Sequence, residues 1–136
     1  MKYPVKIIKA IVEDSYELTV PDLPGCQLKG KSIDGVMNSI TEVIANHLSI
    51  LAEYGERIPH ASKIDTLIVN QPNAIWAVVD FDIVPYLGKS HKINVTLPEL
   101  LINRIDDRVN KSAEHKTRSG FIAAACIELL NKSKSN

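Results

Sequence analysis

The segment from residue 92 to residue 97 constrains the fold of this chain more than any other part of the sequence. Apolar and polar residues alternate strictly through it, which is the pattern of a half-buried β-strand. The apolar set is Ile93, Val95 and Leu97, and the polar set is Lys92, Asn94 and Thr96. A single strand leaves a row of backbone groups unpaired, and a helical pattern follows it directly. We therefore expect it to pair antiparallel with the same strand of a second chain, across a two-fold axis.

Two short amphipathic helices are predicted after this strand. Pro98 suits the first turn of a helix, where its missing N–H is not needed. Residues spaced by four then form an apolar stripe, which consists of Leu101, Ile105 and Val109. Residues 110–116 are predicted to be a polar loop. Thr117 is the expected N-cap of the second helix, which carries its own apolar residues. One strand and two helices bury too little apolar surface to fold alone, so a homodimer is expected.

The polar side of the paired strands suits DNA. Two antiparallel strands fit the major groove, where Asn can pair with adenine, Lys can reach guanine and Thr can contact thymine. The polar set Lys92, Asn94 and Thr96 would occupy that groove in two copies. The N–H groups that start the second helix, together with Thr117, Arg118 and Ser119, form an expected site for a backbone phosphate. Polar residues on the outer face of a strand are also ordinary, so alternation alone leaves this role open.

The first half of the chain predicts strands followed by a long helix. An apolar-rich segment before the turn at residues 13–15 and apolar alternation after it indicate a β-hairpin, with its first strand reaching Val12. Two prolines and a glycine at residues 21–25 interrupt it before a third strand. Ser32 is a good helix N-cap, and apolar spacing continues for about five turns until Gly55, a C′ glycine. His47 lies beside that apolar stripe, and we interpret it as a histidine at the edge of the core.

The remainder of this part is less regular. Residues 61–73 are polar and are predicted to be a loop or an edge strand, with residues 67–69 the strand-like piece. Residues 75–83 predict a strand whose alternate residues share one face, and its beginning is expected to be buried on both faces. The predicted order is β-β-β-α-β over residues 1–84. Residues 85–90 have the composition of a linker to the module at residues 91–136.

Composition separates the two parts by charge. Residues 1–88 contain seven Lys or Arg against eleven Asp or Glu, a net of −4, whereas residues 89–136 contain nine against five, a net of +4. The basic part gains from phosphate contacts, which the acidic part does not. No apolar run approaches the roughly 18 residues of a membrane span, and no signal peptide is recognisable, so a cytoplasmic location is expected. Cys26 and Cys126 have no companion at metal or redox spacing, and each is predicted to be a small buried hydrophobe.

Two resemblances cover nearly the whole chain. INVTLPELLINRID followed by TRSGFIAAACIELL resembles the ribbon-helix-helix family. YELTVPDLPGC, then a Gly30-x-Ser32 helix start and a helix ending near Gly55, resembles the HicB antitoxin domain. The resemblance implies an α+β protein with a partial RNase H-like first domain that binds and blocks a HicA toxin, a small basic mRNA-cleaving protein. It also implies that the second domain dimerises and binds double-stranded operator DNA.

Catalysis is not favoured by the residues present. Two-metal nucleases bring several carboxylates together around ions about 4 Å apart. Here the centre of the first strand has no carboxylate, and Asp80 and Asp82 are the one pair on a predicted strand. No spacing supports a nucleophilic triad, and no Gly-rich phosphate loop is present. A non-enzymatic protein without a metal or cofactor is expected. A ribbon-helix-helix repressor whose first domain senses a small molecule, and a HicB-like protein without a toxin, remain alternatives.

Overall fold

A computed structural model describes the chain at residues 1–11, 13–112 and 117–134, with the backbone alone for residues 133 and 134. The described residues divide into two compact units, Met1–Leu87 and Gly88–Lys134. The first unit contains strands β1 (Lys2–Lys9), β2 (Tyr16–Thr19), β3 (Gln27–Gly30) and β4 (Ile75–Asp80) and helices α1 (Ile33–Glu53) and α2 (Ile64–Ile68). The second contains α3 (Glu99–Lys111) and α4 (Arg118–Lys134). Within the described ranges, no helix is long and apolar enough to cross a membrane.

The strands of the first unit form one antiparallel sheet in the order β3-β2-β1-β4. The predicted hairpin is confirmed, because Ile7 lies opposite Leu18 and the Ala10 N–H donates to the Ser15 carbonyl at 2.9 Å. β1 ends sooner than predicted, at Lys9, and Ile11 is fully exposed. Val12 lies outside the described residues. The predicted α+β class and the β-β-β-α-β order are confirmed, with α2 added between α1 and β4.

The core lies between one face of this sheet and α1. Alternate residues of β1 point to that face, and the cross-strand partners of Ile7 and Val5 continue it onto the neighbouring strands. Buried side chains from the strands and the following turn meet a four-residue stripe on α1. The strand and turn residues are Tyr3, Val5, Ile7, Leu18, Val20, Leu23 and Cys26, and the stripe is Val36, Ile40, Ile44 and Leu48. Each buried Val, Leu or Ile side chain among them contributes about 1.5–3 kcal/mol through the area removed from water.

The ends of α1 are set by local chemistry, as predicted. Ser32 Oγ accepts a hydrogen bond from the Gly35 N–H at 2.9 Å, which satisfies one of the unpaired donors of the first turn. At the other end Gly55 adopts a φ of +67°, which favours glycine. Its N–H donates to Ala52 and the Glu56 N–H to Leu51, at 3.1 and 2.9 Å. These two bonds form a Schellman motif, so the helix cannot continue.

The segment after α1 is fixed to the sheet by partly buried polar contacts. The hydroxyl of Tyr3 donates to the Pro59 carbonyl at 2.7 Å. The carboxylate of Asp22 accepts hydrogen bonds from the backbone N–H and the hydroxyl of Ser62, at 2.8 and 2.5 Å. Burial, with the nearby Asp22 charge second, raises the pKa of Tyr3 well above its usual range. Residues 59–62 are thereby held against the first strand and the turn that follows β2.

The loop or edge strand predicted at residues 61–73 is wrong over its middle, which is the helix α2. Thr66 Oγ1 donates to the Lys63 carbonyl at 2.7 Å, and the Thr66 N–H donates to the same oxygen at 3.1 Å. Ile64 borders a shallow cleft with Pro4 and Val78, on the sheet face opposite α1. Here packing against the sheet overrides the strand preference of residues 67–69, as tertiary context commonly does.

The strand predicted for residues 75–83 is also shorter than expected, because β4 ends at Asp80. The Phe81 N–H donates to the Met1 carbonyl at 2.8 Å, and a 3-10 helix follows at Val84–Tyr86, overlapping the start of the expected linker. Val79, Phe81 and Ile83 are buried as predicted, but Ile75 is 44% exposed. Val78, expected to be buried, is 46% exposed. β4 has β1 on one side only, so its first residues are not enclosed.

Both helices predicted in the second unit are confirmed. Pro98 occupies the N-cap position of α3, and its carbonyl accepts from the Ile102 N–H at 3.1 Å. The helix runs to Lys111, so it includes the start of the predicted 110–116 loop; residues 113–116 lie outside the described part of the chain. Thr117 caps α4, as its Oγ1 accepts from the Gly120 N–H at 3.0 Å. Its carbonyl accepts from the Phe121 N–H at 3.0 Å.

Candidate functional site

The segment predicted as an intermolecular strand is exposed. Residues 91–98 belong to no strand in the single chain, because their backbone has no neighbouring strand with which to form a ladder of hydrogen bonds. Ile93 is 79% exposed and Val95 is 63% exposed. The predicted groove-facing residues Lys92, Asn94 and Thr96 are exposed as well. The single chain thus leaves both the apolar and the polar residues of this segment in contact with water.

Other large apolar side chains of the second unit are exposed with it. Ile105 is 5% exposed and is buried. By contrast, four leucines on its two helices remain open to solvent: Leu100 at 72%, Leu101 at 43%, Leu129 at 67% and Leu130 at 64%. The prediction that Cys126 is buried is wrong for the single chain, whereas Cys26 in the first unit is buried as predicted. Exposed apolar surface on this scale is unusual for a small unit.

The three residues of the predicted phosphate site lie at the start of α4. Thr117, Arg118 and Ser119 are all exposed there. The Arg118 guanidinium donates from Nε to Asp106 Oδ1 at 2.9 Å and from Nη2 to Oδ2 at 2.8 Å. This two-point geometry is the strong form of an Arg–carboxylate contact. The hydrogen bond from Arg118, with its charge, holds the pKa of Asp106 below the usual range.

Asp106 is a residue that the sequence interpretation missed. It lies on α3, twelve positions before Arg118, and the pair connects the two helices. No spacing rule relates residues on different helices, so the sequence carried no signal for it. Its neighbour Asp107 pairs with Lys111 along the same helix at 3.3 Å, a spacing that could have been read from the sequence. A phosphate at Arg118 would compete with the Asp106 carboxylate.

The carboxylates considered for catalysis have other contacts or are dispersed. Asp80 Oδ1 lies 3.9 Å from the amino terminus, and Asp82 Oδ1 accepts from the Val84 N–H at 3.1 Å. Both residues are exposed. Among the described residues, no group of three His, Cys, Asp or Glu side chains is arranged to hold a metal ion. His47 is half-buried beside the turn at Gly25, where a methyl group would lie 4.0 Å from its Cε1 atom.

A family model and a curated relative match most of this chain. The chain matches a family model described as HicB_like antitoxin of bacterial toxin-antitoxin system over residues 3–126. A curated relative, an uncharacterized 14.9 kDa protein in the rep-hol intergenic region of Haemophilus phage HP1 (strain HP1c1), is 39% identical over 133 residues. That match covers 96% of this chain and 98% of the relative.

Two solved structures match this chain over different shares of its length. The crystal structure of the Burkholderia pseudomallei antitoxin HicB matches with a TM-score of 0.70 and 34% identity, covering 96% of this chain and 98% of that one. A HicA3 and HicB3 toxin-antitoxin complex contains a chain that matches with a TM-score of 0.50 and 24% identity, covering 60% and 99%. At that identity the likeness is one of fold. The family match and the Burkholderia structure both extend over the two units, and this chain belongs to the HicB-like antitoxin family of bacterial toxin-antitoxin systems.

Proposed function

We propose that the chain neutralises a HicA-type mRNA interferase by binding it through residues 1–84, and represses its own operon by binding operator DNA through residues 91–136. Residues 85–90 connect a partial RNase H-like domain to a ribbon-helix-helix domain. Both activities are binding reactions in the cytoplasm, with no cofactor and no catalytic step. Lys92, Asn94 and Thr96 read the operator, and Thr117, Arg118 and Ser119 contact its phosphates.

The observation that carries the DNA-binding part is the exposure of Ile93 and Val95 within a segment that has no strand partner in the single chain. Pairing this segment with its copy around a two-fold axis gives its backbone groups hydrogen-bond partners. It also buries Ile93 and Val95 of both protomers. The exposed leucines of α3 and α4 supply the remaining core of a four-helix dimer. The alternate residues then face outward in a two-stranded ribbon of the width that enters a major groove.

The toxin-binding part is supported by the similarity to HicB3, which is bound to HicA3 in the complex named above. It is also supported by charge, because residues 1–88 carry a net of −4. A protein that cleaves mRNA must hold a polyanion, so its RNA-binding surface is expected to be cationic. An acidic domain that covers such a surface would block RNA access, and opposite charges would speed the encounter.

Separating the two domains tests both parts. Residues 1–88 alone are expected to rescue cells that express the HicA-type toxin of the same operon, but not to repress a reporter that carries the operator. The full chain is expected to do both. If residues 1–88 are folded and fail to bind the toxin, the antitoxin proposal is wrong. Binding of a small molecule to that domain, with altered operator affinity, would then favour a ligand-responsive repressor.

A further inference from the structure

The first unit distributes its charge unevenly between its two faces. Helix α1 contains Asp34, Glu42 and Glu53 but no Lys or Arg along its 21 residues. On the sheet, Tyr3, Val5 and Ile7 point to α1, so alternation places Lys2 and Lys6 on the other face. The strand register places Lys29 there too, together with Glu17 and Asp80, so this face mixes both signs of charge. The net charge of the unit therefore does not describe either face.

One flank of α1 combines this acidity with exposed apolar surface. Ile50 is 55% exposed and Tyr54 is 75% exposed. Glu42, Asn46 and Glu53 continue the flank at three- and four-residue spacing, and all three are exposed. We call these five residues, Glu42, Asn46, Ile50, Glu53 and Tyr54, the α1 strip. Neither carboxylate forms an ion pair with another described residue.

The opposite flank of the same helix is chemically different. After Asp34 in the first turn, it carries Asn38, Thr41, Ala45, Ser49 and Ala52, which are small or neutral side chains. A helix flank that only faces solvent and binds no partner is expected to carry small polar residues, or charged residues of both signs. Large exposed apolar groups next to acidic groups without basic neighbours are instead typical of a surface that binds a cationic partner.

We propose that the α1 strip is the surface through which this chain contacts the RNA-binding face of its toxin. The inference rests on the proposed antitoxin function and specifies where the contact is made. Tyr54 and Ile50 insert into the toxin surface as apolar anchors, because large exposed apolar and aromatic side chains carry most binding energy at interfaces. Glu42 and Glu53 face the lysines or arginines that would otherwise hold RNA phosphates. Inhibition then follows from occupation of the RNA path.

The experiment uses the full chain and a catalytically inactive form of the HicA-type toxin from the same operon, with binding rates measured by surface plasmon resonance. Ile50→Ala and Tyr54→Ala are each expected to raise the Kd about tenfold, mainly through faster dissociation. The double variant Glu42→Lys with Glu53→Lys is expected to slow association about tenfold at low salt, and much less at high salt. All four positions are exposed, so folding should be preserved, and unchanged thermal unfolding would verify this.

Matched controls lie elsewhere on the unit. Asp14→Lys reverses a charge at the β1–β2 turn, at the other end of the sheet from the Gly25 turn beside His47. Val69→Ala removes an apolar group that is 77% exposed after α2. Both are expected to bind the toxin like the parent chain. If the parent binds and the α1-strip variants bind equally well, the strip is the wrong surface and the antitoxin function stands. If the parent itself does not bind, both proposals fall.

Discussion

Arg118 at the start of α4 donates two hydrogen bonds, of 2.9 and 2.8 Å, to the carboxylate of Asp106 on α3. The guanidinium expected to meet a DNA phosphate is thus already engaged by a carboxylate of the same unit. Both groups are solvent-accessible, so the contact is open to exchange. If Arg118 positions the protein on DNA, a phosphate must displace Asp106, and that competition should be measurable.

Replacing Asp106 by Asn is expected to tighten binding to all DNA sequences several-fold and to steepen its salt dependence, because Arg118 no longer has a competing carboxylate. Asp107→Asn is the matched control: it removes the same charge one residue away, where the carboxylate pairs with Lys111. Fluorescence anisotropy with operator and unrelated duplexes across a salt series measures both. Arg118→Ala should lower the salt slope by about one. Equal effects of the two Asn variants would show that Arg118 does not reach a phosphate.

Changing Lys92, Asn94 and Thr96 together to Ala is expected to abolish sequence preference. Each base-reading pair contributes about 1–3 kcal/mol of discrimination and each residue acts twice in a dimer, so operator affinity should fall about a hundredfold or more. Affinity for unrelated DNA should change far less. The triple change of Lys89, Ser90 and His91 to Ala, in the exposed residues just before the segment, provides the control. A groove-facing role is excluded if the first variant still distinguishes the operator.

Val95→Glu is expected to prevent dimerisation, because it would place two carboxylates in the shared apolar core without partners. Thr96→Glu introduces the same charge at the adjacent residue, on the outer face, and should leave the dimer intact while repelling DNA. Sedimentation velocity and circular dichroism of residues 89–136 compare the two. The Val95→Glu fragment is expected to lose both its helix signal and its dimer, whereas the Thr96→Glu fragment is expected to keep both. A folded monomer of the parent fragment at micromolar concentration would contradict the ribbon arrangement.

Stability of the first unit is expected to fall at alkaline pH through Tyr3. Its folded pKa lies above the ordinary value of about 10, so its contribution is present below pH 10 and is lost as the pH rises toward the folded pKa. Tyr3→Phe should weaken this dependence, and should cost about 1 kcal/mol at neutral pH because the Pro59 carbonyl loses its donor. Urea unfolding at neutral and alkaline pH measures both effects. Tyr54→Phe, at an exposed site, should leave the alkaline loss unchanged.

Sequence by itself determined the features that depend on near neighbours. Ser32 and Gly55 bound α1, and Thr117 caps α4, because capping involves groups within a few residues of one another. Alternation located the hairpin, and three- and four-residue spacing located the helices, because one buried face imposes its period on the chain. The resemblance to the HicB family, carried by motifs in both halves, predicted the family to which the chain belongs.

Tertiary structure decided what depends on residues that are distant in the chain. Residues 67–69 have strand propensity, yet they lie in or beside α2, which packs on the outer face of the sheet. Just after β4, the Phe81 N–H donates to the carbonyl of Met1, a residue far away in the sequence. Arg118 on α4 likewise donates to a carboxylate on α3. Local spacing cannot encode these relations, because the energy of a hydrogen bond, an ion pair or a buried side chain depends on which groups folding brings together.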